Sequence, residues 1–169
     1  MKATRLLPAA LAILPLASLA DTCPWLGEEV AAQVILAKPA GTKVAMDPVF
    51  ANDKGLLAST TCRFKEAGEL VGQLAVVVME FGSYDAATAA YQKELRSQAS
   101  RAKPSKIGAD PAFFTFNPGF SAASYAVKGK RLVFVSHVLG KRVKEAMQKD
   151  PDGAVLSTHE VARRVLEKL

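Results

Sequence analysis

The sequence predicts an α+β fold: a twisted antiparallel sheet of about five strands, packed by three helices and tied by one disulfide. Three features point to it. Short stretches alternate apolar and polar residues with the period of a half-buried strand. Tight turns join these stretches, and strands joined that way lie antiparallel. Between and outside them, apolar residues recur at helical spacing. The resulting order is helix, two strands, helix, three strands, helix.

The first helix is expected to begin at Asp21 or Thr22, with Pro24 in its first turn and Glu28 and Glu29 near its positive end. Trp25, Leu26, Val30, Val34 and Ile35 give it an apolar face, and it should stop near Lys38, ahead of Pro39 and Gly41. Residues 39–55 read as a long loop with a short strand around Lys43 to Met46. Leu56 to Lys65 is a strand with Leu56, Ala58, Thr60, Cys62 and Phe64 on one face. Glu66 to Glu69 turns the chain into a strand over Leu70 to Phe81, whose apolar run Ala75 to Met79 suits a central position.

Ser83 caps a second helix that runs to about Arg101, with Tyr84, Ala87, Ala90, Tyr91 and Leu95 inward; Pro104 ends it. After a turn at Ile107 to Pro111, three strands follow over Ala112 to Phe116, Ala122 to Val127 and Arg131 to Val138. Lys128-Gly129-Lys130 makes the tight turn between the last two. Val143 to Met147 is compatible with a short helix. Ser157-Thr158-His159-Glu160 reads as a capping box for the last helix, whose stripe is Val161, Ala162, Val165, Leu166 and Leu169.

The N-terminus predicts export. A basic start (Lys2, Arg5), an apolar run from Leu6 to Leu16 and small residues at Ser18 and Ala20 form a secretory signal peptide over residues 1–20, cleaved before Asp21. The run is too short for a permanent membrane span. Removing twenty of the 169 residues leaves one domain, residues 21–169, long enough for a real core. Its expected location is the periplasm or the medium, where disulfides persist. Only Cys23 and Cys62 are available, so one pairing exists. A redox pair favours Cys-x-x-Cys spacing and zinc wants four ligands, so a structural bridge is expected. A lipid on Cys23 is disfavoured, because Asp21 and Thr22 separate it from the small cleavage-site residues.

Few chemistries have the residues they need. His137 and His159 are far apart, so no metal and no cofactor is expected. There is no Gly-x-Ser-x-Gly elbow and no glycine-rich phosphate loop after a strand. Glu66, Glu69 and Glu80 surround one hairpin and could formally serve glycoside hydrolysis, but they read as outward strand charges. His137 reads as half-buried in its strand, and His159 as exposed beside the helix cap. The expected protein is not an enzyme.

Charge is unevenly spread. Residues 93–149 carry twelve basic and three acidic side chains, a net of +9, while the rest of the mature chain sums to −5. The same stretch holds Phe113, Phe114, Phe116, Phe120 and Tyr125. With Lys128, Lys130, Arg131, Lys141, Arg142 and Lys144 at the rim, these aromatics make a candidate binding face. Core packing beneath helices is the competing reading of the aromatics. The expected partner is an envelope protein or an anionic polymer; export disfavours nucleic acid.

Cys23-Pro24-Trp25-Leu26 before the first helix and Thr61-Cys62-Arg63-Phe64 in the first long strand resemble a two-cysteine pattern. So do Ile107-Gly108-Ala109-Asp110-Pro111-Ala112-Phe113 ahead of a hairpin and the closing helix Val161-Ala162-Arg163-Arg164-Val165-Leu166. The pattern is that of small exported bacterial proteins and lipoproteins of unknown function, and the layout resembles the PsbP-like α-β-α sandwich. The resemblance covers most of the mature chain. It implies a binding or accessory module of the cell envelope and carries over no catalytic residue. The alternative is a hydrolase of envelope or host polymers, or an inhibitor of one.

Overall fold

The computed structural model describes residues 22–44, 46, 52–68, 72–108 and 111–169, with the backbone alone described at 40, 43 and 151–157. The expected signal peptide, Asp21, Glu69 and Leu70 therefore lie outside the described residues. In chain order the elements are α1 (Glu28–Ile35), β1 (Pro39–Val44), β2 (Leu56–Glu66), β3 (Gln73–Phe81), α2 (Tyr84–Ser97), β4 (Ala102–Pro104), β5 (Ala112–Asn117), β6 (Ser121–Lys128), β7 (Arg131–Val138), α3 (Lys141–Lys149) and α4 (Pro151–Glu167). The fold class is α+β, as expected. The described residues form seven strands and four helices rather than about five and three.

All seven strands belong to one antiparallel sheet in the order β1-β2-β3-β7-β6-β5-β4. The chain lays down β1, β2 and β3 as a meander. It then crosses through α2 to the far edge and returns inward until β7 pairs with β3. The edge strands differ most from the expectation: β1 overlaps the short strand expected around Lys43 to Met46 but starts four residues earlier, and β4 was not expected. Pro39 opens β1 and Pro104 closes the three-residue β4; at an edge, a missing N–H facing away from the neighbour costs no ladder bond. Short edges with proline also discourage further strand addition.

Helices cover both faces. α1 and α4 lie on one, where Ile35, Val34, Val161, Val165 and Leu166 pack on Cys62, Phe64, Leu74, Val76, Val133 and Val135. On the other, Ala87, Ala90 and Tyr91 of α2 pack on Val77, Met79, Phe81, Tyr125, Val127 and Leu132. β3 supplies both clusters from alternate positions, which accounts for its unbroken apolar run. Each large side chain fully buried there contributes roughly 1.5–3 kcal/mol.

Three local expectations are corrected. α1 starts at Glu28, not at Asp21 or Thr22. The preceding segment is held to the sheet by the Cys23–Cys62 bridge (Cα–Cα 5.6 Å) and by buried Leu26. In β2, Leu56 pairs with Phe81 and Ala58 with Glu80, so a bulge at Leu57 puts Leu56 on the face opposite Cys62 and Phe64. The last helix begins at Pro151, a proline at the first helical position, where its missing N–H would be unpaired anyway. Ser157 to Glu160 is therefore helix interior and not a capping box. Glu160 instead pairs with Arg163 and Arg164 across one turn, and these guanidinium groups hold its carboxyl down at about 2.

Candidate binding groove

Coverage of the sheet is unequal. A helix is about 10 Å wide, and seven strands at about 4.8 Å spacing make a sheet roughly three times that width. Among the described residues α1 and α4 lie on one face, and α2 is the one helix on the other. Ser83 starts α2 as expected, its Oγ accepting from the Ala86 N–H at 3.1 Å. The helix sits over the Phe81 end of β3 and the Leu132 end of β7. Beyond its C-terminus no described helix covers the same face.

The register defines what lines that opening. Thr115 lies opposite Ala123 and Asn117 opposite Ser121, so all four share a face. Ser121 lies opposite Val138, Ala123 opposite Ser136 and Tyr125 opposite Phe134, extending the same face into β7. Gln98 and Arg101 close it from the end of α2, giving a groove of about 240 Å³ that Phe116 and Ala122 also border. Polar side chains enter each strand toward this end, although β7 finishes on the exposed Val138. Val127 and Tyr125 give way to Ser121 on β6, Leu132 and Phe134 to Ser136 on β7, and Phe113 to Asn117 on β5.

The floor is aromatic where it meets α2. Phe113 stacks on Tyr125 at 4.4 Å, Tyr125 leans on Phe134 at 4.7 Å, and Tyr91 meets the Phe113 edge-on at 5.2 Å. Burial raises the Tyr125 phenol well above its usual range; Glu94 adds to this and Arg101 opposes it. At the mouth, the Arg101 guanidinium donates to Gln98 Oε1 at 2.9 Å. Among the described residues no carboxylate pairs with Arg101.

The residues of the expected basic-aromatic face are distributed over several places. Phe113 and Tyr125 are buried on the α2 face, Tyr125 also lining the groove. Phe114 and Phe116 alternate to the opposite face, where Phe114 meets His159 edge-on at 4.8 Å. Phe120 stands on the β5–β6 turn, 67% exposed. Lys128, Lys130 and Arg131 are at the β6–β7 turn, the opposite end of the sheet. There Lys128 Nζ donates to the Leu166 carbonyl at 2.6 Å and Arg131 to the Leu169 backbone oxygen at 3.2 Å, closing the end of α4. Lys141, Arg142 and Lys144 open α3. Arg142 faces Glu66 at 3.3 Å and donates to the Leu36 carbonyl, and Lys144 Nζ lies 5.9 Å from the Phe120 ring centre. The structure thus joins Phe120 to Lys144 and separates both from the Lys128–Arg131 turn by the length of β6.

Other titratable groups also differ from expectation. Glu66 is turned inward, 4% exposed, with Oε2 unpartnered, because the end of β2 is covered by α3 and Gly72. His137 is wholly buried rather than half-buried. Neither ring nitrogen has a partner, and burial pushes its pKa down to about 4. His159 is half-buried within α4 instead of exposed beside a cap, and burial lowers it too. Among the described residues no group of three or more His, Cys, Asp or Glu could hold a metal ion, and no helix is long and apolar enough to cross a membrane.

No protein-family model matches the chain, and no curated protein does. Among solved structures, the fold is similar to the crystal structure of the extracellular domain of PknH from Mycobacterium tuberculosis. The TM-score is 0.55, with 13% identity over 86% of this chain and 92% of that one.

Proposed function

We propose that this chain is an exported, non-enzymatic binding or accessory domain of the bacterial cell envelope, periplasmic or secreted, that takes its ligand in the groove beyond α2. The observation that carries this reading is the half-open sheet face. Side chains that would be apolar under a helix are Thr115, Asn117, Ser121 and Ser136 there, and together with Gln98, Arg101 and apolar neighbours such as Phe134 and Val138 they line about 240 Å³. Ligand sites combine an apolar surface with a few placed polar groups in this way. The lining holds no carboxylate, imidazole or thiol, which favours binding over the alternative of a hydrolase, since glycoside hydrolysis needs two facing carboxyl groups. The signal-like N-terminus, the bridge and a fold neighbour that is an extracellular domain support export.

The test is native mass spectrometry of protein recovered from the exporting cell, wild type beside Ser136→Trp, which fills the groove. An adduct on wild type that S136W lacks supports the reading, and identical spectra contradict it. A second reading, contact with an envelope protein or anionic polymer, is favoured by exposed Phe120 with Lys144 beside it. Phe120→Ser combined with Lys144→Glu tests it without touching Arg131 or Arg142, which have structural partners.

A further inference from the structure

We propose that the groove takes a small organic carboxylate, its charge held by Arg101 and its apolar body laid against Phe134 and Val138. The proposal rests on reading the groove as the ligand site and adds the class of ligand.

Three observations lead there. The first is charge. Arg101 is the one ion in the lining, and the other polar groups, Gln98, Thr115, Asn117, Ser121 and Ser136, are neutral. A cation at the mouth of a groove without an internal counter-ion attracts an anion. Glu94 lies outside the lining but acts on the same Tyr125 phenol as Arg101 does, with the opposite sign.

The second is geometry. Guanidinium has five N–H donors in a planar fork. Gln98 Oε1 accepts from one arm of Arg101 at 2.9 Å and holds the side chain at the mouth. The remaining donors suit a planar pair of oxygens, the shape of a carboxylate. The hydroxyls and amides on the strand rungs can then accept or donate to the ligand's other polar groups.

The third is size and floor. The groove's 240 Å³ equals about eight waters at liquid density, which suits a single small acid and is too little for a polymer segment or a long acyl chain. Phe134, half-buried and backed by the Tyr125 ring at 4.7 Å, and the exposed Val138 present apolar surface on which a ring or a short alkyl body can lie.

The experiment titrates the mature chain, bridge oxidised, with phenylacetate and benzoate and with their neutral amides, phenylacetamide and benzamide. Binding is read by calorimetry and by backbone amide shifts. The acids are expected to bind about tenfold more tightly than the amides, the difference of one charge-assisted contact at a partly exposed site. Arg101→Met should remove that preference, Arg101→Lys should restore part of it, and Glu94→Gln should tighten the acids while leaving the amides unchanged. Arg101 is exposed, so its variants keep the fold. Amides bound as tightly as acids, or an R101M protein that binds acids like wild type, would overturn the proposal. S136W separates the two levels. If it abolishes binding of acids and amides alike while R101M changes nothing, the groove stands as a site and the carboxylate assignment falls. If wild type binds none of the four probes at millimolar concentration, both fall.

Discussion

His137 is the residue whose environment and chemistry agree least. It sits opposite Leu74 and Ala122 with no polar partner for either nitrogen. In the folded chain burial keeps the ring neutral down to about pH 4, whereas the unfolded chain takes up the proton near the usual 6.5. Between those values the unfolded state binds more protons, so stability falls as pH drops through that window, by about 3 kcal/mol in all. Urea unfolding across the window should show this loss in wild type and not in His137→Leu. The variant should also gain about 1–2 kcal/mol at neutral pH, because two unpaired buried polar atoms are gone. Parallel pH dependence in the two proteins would contradict the account. The burial of Glu66 and His137 was not legible in the sequence, because alternation assigns a face but does not say how well the face is covered. The same limit hid Arg101 and Gln98. At the end of a helix Arg101 reads as solvent-facing and Gln98 carries no signal, and only the path of the chain past Ala102 turns them toward the sheet.

Among the elements, β7 was legible to the residue, since its apolar alternation is long and a glycine turn precedes it. Two-residue turns also fix the β6–β7 register, with Lys128 opposite Arg131 and Gly129 at φ +56°. Edge strand β4 was not legible, and β1 was legible only in part, through the strand expected around Lys43 to Met46. They contain proline and glycine, hold few apolar residues, and exist because a neighbouring strand offers them hydrogen bonds. The two serine caps read from the sequence separate in the structure. Ser83 starts α2, whereas the α4 backbone is already helical for six residues before Ser157. Ser83→Ala should therefore cost about 1 kcal/mol, and Ser157→Ala should change stability by less than about 0.5 kcal/mol. Thermal melts of the two variants decide this, and equal losses would mean that the last helix starts later than Pro151.

For the whole molecule, one bridge and one sheet carry the organisation. Cys23 and Cys62 are 39 positions apart, and their bond ties the segment ahead of α1 to β2. Closing a loop of that length contributes about 4 kcal/mol in the chain-entropy model. Reduction should lower the urea midpoint accordingly; an unchanged midpoint would show that the bridge adds nothing beyond the core. The positive charge of residues 93–149 was visible in the sequence, but its division between the two ends of the sheet was not. That division depends on β6 running the length of the molecule between two turns. Fold class, the bridge and the hairpin pairings follow from the sequence pattern, whereas the β3–β7 pairing that joins the two halves of the sheet does not. The groove does not, because it arises where one helix is too narrow for the sheet beneath it.

The central claim is that ligand binding belongs to that uncovered face. It is tested most directly by mapping backbone amide shifts of the mature protein on titration with phenylacetate. The account predicts changes confined to the end of α2 near Gln98 and Arg101, to Thr115 and Asn117 on β5, to Ser121 through Tyr125 on β6, and to Phe134 through Val138 on β7. Shifts centred on the Lys128–Arg131 turn, or none in the groove, would contradict it.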